Sequence, residues 1–171
     1  SQDDPCLCPN DVAAKITPRT KVVIPMHYAG WPCDMDGLYG VVEPKQISLL
    51  EDAAHAPGAS LDGKSCGNLA DAACFSFYSN KNMTCGEGGM ITTNNEEMAE
   101  RLAWLRSHGM TVPTLSRHKG RAFSYDLAEP GHNYRMDEMR AALARCQLAR
   151  LDEFNASRCS LAGQYQELLE E

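Results

Sequence analysis

The sequence predicts an α/β fold with a largely parallel sheet, and three observations carry that expectation. Strand-like and helix-like patterns alternate along the 171 residues. Residues 21–25 (KVVIP) form an apolar run with an unbroken centre, as in strands covered on both faces. Residues 74–93 (CFSFYSNKNMTCGEGGMITT) set two strand-like ends around a polar turn and a glycine-rich turn.

The elements follow in order. Residues 1–9 are polar and broken by proline. Asn10 can cap a short helix through Ile16, which Pro18 stops. The strand at 21–25 leads through a loop into a helix over 35–42, ended by Pro44, and 46–51 returns as the next strand. Residues 61–71 are turn-rich, punctuated by Gly63, Gly67 and Asn68. Strands at 74–78 and 90–93 flank the turn carrying Lys81. Asn94 and Glu97 form a capping-box-like pair opening a helix to about Ser107, with Met98, Leu102 and Leu105 on one face and Gly109 at its end. Residues 111–130 lack periodicity and hold a basic cluster, Arg117, His118, Lys119 and Arg121. A long helical pattern over about 137–170 places Met139, Leu143, Cys146, Leu161, Tyr165 and Leu168 at helical spacing, read as core or subunit packing.

Composition excludes several classes. A net charge of −7 and a pI near 5.2 argue against a nucleic-acid surface. No apolar run approaches the roughly 20 residues that span a bilayer, and no basic-then-apolar leader opens the sequence. The length suits one domain with a real core. The eight cysteines do not pair into metal-ligand spacings, and Cys66, Cys74, Cys85, Cys146 and Cys159 fall in or beside apolar segments. Reduced thiols in the cytoplasm are the expectation, and no metal is expected.

The chemistry-bearing residues come next. A lysine held in a turn between buried strands can serve as a Schiff-base amine, which singles out Lys81. Residues 47–59 (ISLLEDAAHAPGA) read as an apolar strand ending in Glu51-Asp52 and a small-residue turn. Ligand groups gather at the carboxyl ends of strands in open α/β sheets, where Asp52 and His55 would sit. A carboxylate there suits the partner of a pyridinium nitrogen. The Gly86-Glu87-Gly88-Gly89 turn is neither a Walker loop nor a dinucleotide fingerprint.

Five segments in this order resemble the DegT/StrS-type sugar aminotransferases, pyridoxal phosphate (PLP) enzymes of fold type I. They are 17–36 (TPRTKVVIPMHYAGWPCDMD), 49–59 (LLEDAAHAPGA), 75–93 (FSFYSNKNMTCGEGGMITT), 105–110 (LRSHGM) and 131–143 (GHNYRMDEMRAAL). The resemblance implies most of a large PLP-binding domain, with the 137–170 helix leading toward a small domain. It also implies an upstream part with a Gly-Thr phosphate turn and a ring-stacking aromatic, so that residues 1–171 read as an internal piece, inactive alone.

By that resemblance Lys81 forms the internal aldimine and later moves the proton. Asp52 pairs with the pyridine nitrogen, and His55 lies near the ring oxygen. Ser76 binds the phosphate, and Asn133 reaches the phosphate in the partner subunit's site, which requires a homodimer with a shared active site. Relatives with histidine in place of the lysine deoxygenate sugars, so Lys81 points to amino transfer. The implied substrates are a nucleotide-linked keto-sugar and glutamate as amino donor. Two alternatives stand beside this: a PLP enzyme with another outcome, such as dehydration or aromatization, and a non-catalytic binding or regulatory relative. Pro130-Gly131-His132 replaces the Leu-Gly-Tyr common in relatives.

Overall fold

The computed structural model describes residues 5–111 and 126–169. The basic cluster expected at Arg117, His118, Lys119 and Arg121 lies outside them. The chain divides into two compact units. One holds the chain up to Thr92 together with Glu138 onward, and the other runs from Thr93 to Asp137.

The first unit is α/β, as its alternating pattern predicts. After α1 (Pro9–Lys15), strands β1 (Val22–Val23), β2 (Ser48–Asp52), β5 (Ala72–Ser76) and β6 (Gly89–Thr92) form one sheet in the order β1-β2-β5-β6. The first three are parallel, with Val23 opposite Leu49 and Asp52 opposite Cys74. β6 closes the edge antiparallel to β5, with Ser76 opposite Gly89.

Helix α2 (Met35–Val42) connects β1 to β2 and supplies much of the core. Asp34 caps it by accepting the Gly37 N–H at 2.9 Å. Met35, Leu38 and Val42 fall on one stripe and are buried against Val23, Ile47 and Leu49. Each such side chain contributes about 1.5–3 kcal/mol by leaving water. Pro44 does not stop the chain abruptly but sits in a 3-10 turn, Glu43–Lys45. Gln46 then takes the left-handed conformation (φ 56°), and the Ile47 N–H closes back on the Val42 carbonyl at 3.2 Å.

Three local expectations are corrected. The N-cap of α1 is Cys8, without a side-chain hydrogen bond, and not Asn10, because Pro9 occupies the first helical position. The turn-rich stretch after Ala59 contains a hairpin, β3 (Ser60–Leu61) with β4 (Lys64–Ser65), joined by Asp62-Gly63 at φ 50° and 78°. Asp-Gly favours that turn because both positions need positive φ. The long C-terminal pattern is two helices, α4 (Glu138–Leu148) and α5 (Leu151–Leu169), separated at Ala149 and Arg150. The break starts α5 at Leu151, which is buried and packs near Gly58. Among the cysteines, Cys66 and Cys85 are buried, but Cys146 in α4 and Cys159 in α5 are exposed.

Gly67 shows where a turn requires glycine. Its φ is +94°, and a Cβ there would run into the Phe75 ring. Gly67→Ala is therefore expected to destabilise the protein by about 1–3 kcal/mol through strain and displaced aromatic packing. A denaturant midpoint indistinguishable from wild type would contradict this.

The second unit carries α3 (Glu96–Leu105). Its cap is Asn95, one residue after the expected Asn94, with Oδ1 accepting the Met98 N–H at 2.9 Å. The helix ends at Leu105 with Arg106 as its C-cap, so Gly109, at φ +73°, lies three residues beyond the cap and not at the helix end as expected. Arg101 forms a two-pronged ion pair with Glu129 at 2.8 Å.

Candidate active site

The carboxyl ends of β1, β2 and β5 share one edge of the sheet. Backbone bonds fix that edge. Asp52 donates its N–H to the Pro25 carbonyl at 2.8 Å, and its own carbonyl accepts the His27 N–H at 3.1 Å. The Ala53 N–H donates to the Cys74 carbonyl at 2.9 Å, tying β2 to β5 beyond their last paired residues.

Four of the five expected residues belong to this edge. Asp52 ends β2 and is half-buried; its Oδ1 accepts the Ala54 N–H at 3.1 Å. Among the described residues no hydrogen bond reaches its Oδ2. Burial, and then the Asp52 charge, push the neighbouring Cys74 thiol up. His55 follows in the turn, half-buried, with its ring edge-on to Tyr28 at 6.1 Å between centroids. Ser76 ends β5, and its Oγ accepts the Tyr78 N–H at 3.4 Å. Lys81 lies five residues further on, half-buried, in a turn closed by its N–H to the Tyr78 carbonyl at 3.0 Å.

The loop that carries Lys81 is anchored at its base. Phe77 donates its N–H to Gly88 at 2.8 Å, and its carbonyl accepts the Cys85 N–H and the Thr84 hydroxyl, both at 3.1 Å. Phe77, Met83 and Cys85 are buried, so the excursion is held from below by packing. Asn82 then reaches to the turn after β2, its amide donating to the Pro57 carbonyl at 3.0 Å. The lysine turn and the His55 turn are thus bonded to each other.

Asn133 belongs to the second unit. It is exposed there and bridges antiparallel to Ser107, flanked by the His132 and Tyr134 rings stacked 4.6 Å apart.

Sequence reading missed the groups that hold this edge together. Glu51 is fully buried, and its Oε2 accepts from His27 Nε2 (3.0 Å) and the Gly67 N–H (2.6 Å). Its Oε1 accepts the N–H groups of Leu69 (2.7 Å) and Ala70 (2.9 Å). Burial alone would raise the Glu51 carboxyl, but the bonds from His27, Gly67 and Leu69 outweigh it and hold the group below the usual carboxylate range. His27 is equally buried and accepts the Cys33 N–H at Nδ1 (3.1 Å), so its Nε2 proton points at Glu51.

His27, Glu51 and Cys66 bring potential metal ligands within 4.8 Å of one another. Each carboxylate oxygen of Glu51 already accepts two N–H groups, and both imidazole nitrogens are engaged. The cluster is a structural knot joining the loop after β1, β2 and the loop before β5. No local spacing signals it, because His27 and Glu51 are 24 positions apart. Tyr28 was missed for the same reason. Its loop is tight: Ala29 and Gly30 have φ of 53° and 86°, and a Cβ on Gly30 would lie 3.1 Å from the His55 carbonyl.

Two cavities lie elsewhere, about 360 Å³ between α1 and β1 and about 290 Å³ beside Trp31, and neither is lined by Asp52, Ser76 or Lys81. Among the described residues no helix is long and apolar enough to cross a membrane.

Comparison with known proteins agrees with the architecture. Residues 1–171 match the DegT/DnrJ/EryC1/StrS aminotransferase family. The fold is similar to S. venezuelae DesV, solved with a ketimine intermediate, at 38% identity and TM-score 0.85, covering 98% of this chain and 42% of DesV. It is also similar to Spr1654 from Streptococcus pneumoniae, a protein named as a sugar aminotransferase and solved in its PLP form (31%, TM-score 0.87, 98% and 46%). A third similar structure is a 3-amino-5-hydroxybenzoic acid synthase (42%, TM-score 0.74, 86% and 37%). The chain thus spans less than half the length of each of these proteins.

Proposed function

This chain belongs to the DegT/DnrJ/EryC1/StrS aminotransferase family of PLP-dependent enzymes, and from that premise we propose that its residues serve transfer of an amino group from glutamate to a nucleotide-activated keto-sugar. The observation that carries the reading is the sheet edge: Asp52 and Ser76 end neighbouring parallel strands, and Lys81 lies on the turn bonded to the segment after Asp52. A carboxylate, a hydroxyl and a primary amine at one sheet edge fit the ring nitrogen, phosphate and aldehyde of PLP.

Bound there, PLP supplies a ring that accepts electrons from the substrate carbon, the chemistry that protein side chains lack. Lys81 is the amine that holds the cofactor covalently and then carries the proton to and from the substrate carbon. Asp52 keeps a proton on the ring nitrogen. Ser76 donates its hydroxyl to the phosphate, and His55 flanks the ring. Asn133 completes the phosphate site of the partner subunit in a homodimer, which light scattering on the intact protein tests. The reading also puts the protein in the cytoplasm, where its thiols stay reduced.

Removing the Asp52 charge tests the assignment. Asp52→Ala is expected to lower kcat by about two to three orders of magnitude, the usual size for losing one preorganised electrostatic partner. Unchanged kcat at saturating PLP would contradict its role.

A second reading rests on the 42% identity to 3-amino-5-hydroxybenzoic acid synthase. In that reading the same lysine and carboxylate serve another outcome, dehydration or aromatization. Product analysis separates the two: an amino-sugar nucleotide formed with stoichiometric 2-oxoglutarate supports amino transfer, and an aromatic product supports the second reading.

A further inference from the structure

We infer that the start of α5 positions the lysine turn, with Asn155 and Arg158 as positioning residues for Lys81. This rests on the proposed role of Lys81, but the contacts behind it do not. The Pro57 carbonyl accepts two amides, from Asn82 at 3.0 Å and from Asn155 at 3.2 Å. The Asn82 amide also lies 3.4 Å from Asn155 Oδ1, closing a ring of three residues. Arg158 spans the outside of that ring, donating to Asn155 Oδ1 at 3.3 Å and to the Asn82 backbone carbonyl at 3.2 Å. Both the side chain and the carbonyl of the residue after Lys81 are therefore held by one helix.

The helix face is built for this approach. Leu151, Asn155 and Arg158 recur at spacings of four and three, so they share a face of α5. Leu151 is buried, and Gly58 beneath it has φ +82°, where a Cβ would meet the Asn155 amide. The contacts bridge 73 to 98 positions, so the bracket forms only when α5 docks on the sheet unit. The functional consequence follows from reach. An amine that must meet both a cofactor aldehyde and a substrate carbon needs its backbone fixed, and a displacement of roughly 1 Å can cost about a hundredfold in rate.

The test uses the intact protein carrying Asn155→Ala or Arg158→Ala. In the cofactor-free form, amide hydrogen exchange of residues 80–83 is expected to rise at least about tenfold, while β2 and β5 stay protected. In the PLP-loaded form, the pH midpoint of the visible absorbance should shift, and kcat should fall with little change in substrate KM. Unchanged exchange at 80–83 in both variants would overturn the inference, and so would an equal rise across the whole sheet, which marks general destabilisation. If Asn155→Ala does not fold, Arg158→Ala decides, since its side chain is exposed. A Lys81→Ala variant that kept its visible absorbance would instead overturn the role given to Lys81 and leave the exchange result standing.

Discussion

Lys81→Ala is expected to abolish the visible absorbance of the PLP-loaded protein and to lower amino transfer by at least about a thousandfold. The two losses have separate causes. Without the amine no covalent link to the cofactor aldehyde forms, so the absorbance goes. Without the same amine as acid and base, the proton transfer loses a positioned group worth about 10²–10⁴ in rate. The fold should survive, because the turn is held by Phe77, Met83, Cys85 and the Asn82–Pro57 bond rather than by the lysine side chain. Circular dichroism matching wild type, together with the absent absorbance, is the expected pair of results. Transfer at the normal rate would remove Lys81 from the chemistry and leave the amino transfer to another group.

The second large effect is structural. Glu51→Gln is expected to destabilise the protein by about 3 kcal/mol or more, since each buried donor left without its acceptor costs about 1–3 kcal/mol. Glutamine offers one acceptor oxygen where the carboxylate offers two, so N–H groups among His27, Gly67, Leu69 and Ala70 lose their partner in a place water does not reach. For a chain of this size that amounts to a fall in Tm of roughly 10 °C or more. The wild-type protein should show the matching pH dependence. The Glu51 carboxyl is held below its ordinary value, so its contribution is fully present above the unfolded carboxylate range near about 4.3. It is lost as pH falls through the lower folded value. Glu51→Gln should flatten that acid limb, and a variant with wild-type Tm and an unchanged acid limb would contradict the account of the knot.

Much of this architecture was legible because it is local. The stripe of Met35, Leu38 and Val42 announces α2 to the residue, and the apolar run ending in Glu51-Asp52 announces β2. Asp52, Ser76 and Lys81 could be named because strand ends and turns carry their own residue signals, and because linked motifs resembled a known family. Caps were misplaced by one or two positions where two candidates adjoin, as at Asn94 and Asn95, since only geometry chooses between neighbouring side chains. The split between α4 and α5 has neither glycine nor proline to mark it.

What the sequence could not reveal is long-range polar pairing. Glu51 looks like one more acid at a strand end, and nothing in its neighbours says that Leu69 and Ala70 will turn their amides toward it. Asn155 and Arg158 look like solvated helix residues until α5 is docked beside Pro57 and Asn82. Hydrophobic periodicity is written in adjacent residues, whereas these bonds join segments whose meeting depends on the whole sheet.

The most direct test of the central claim is to trap the cofactor on the protein. The intact protein is loaded with PLP, reduced with borohydride and digested, and the modified peptide is identified by mass spectrometry. The chain has six lysines, and the account predicts one pyridoxyl group per subunit, on the peptide containing Lys81. Modification at Lys45 or Lys64 in its place, or no stoichiometric modification at all, would contradict it.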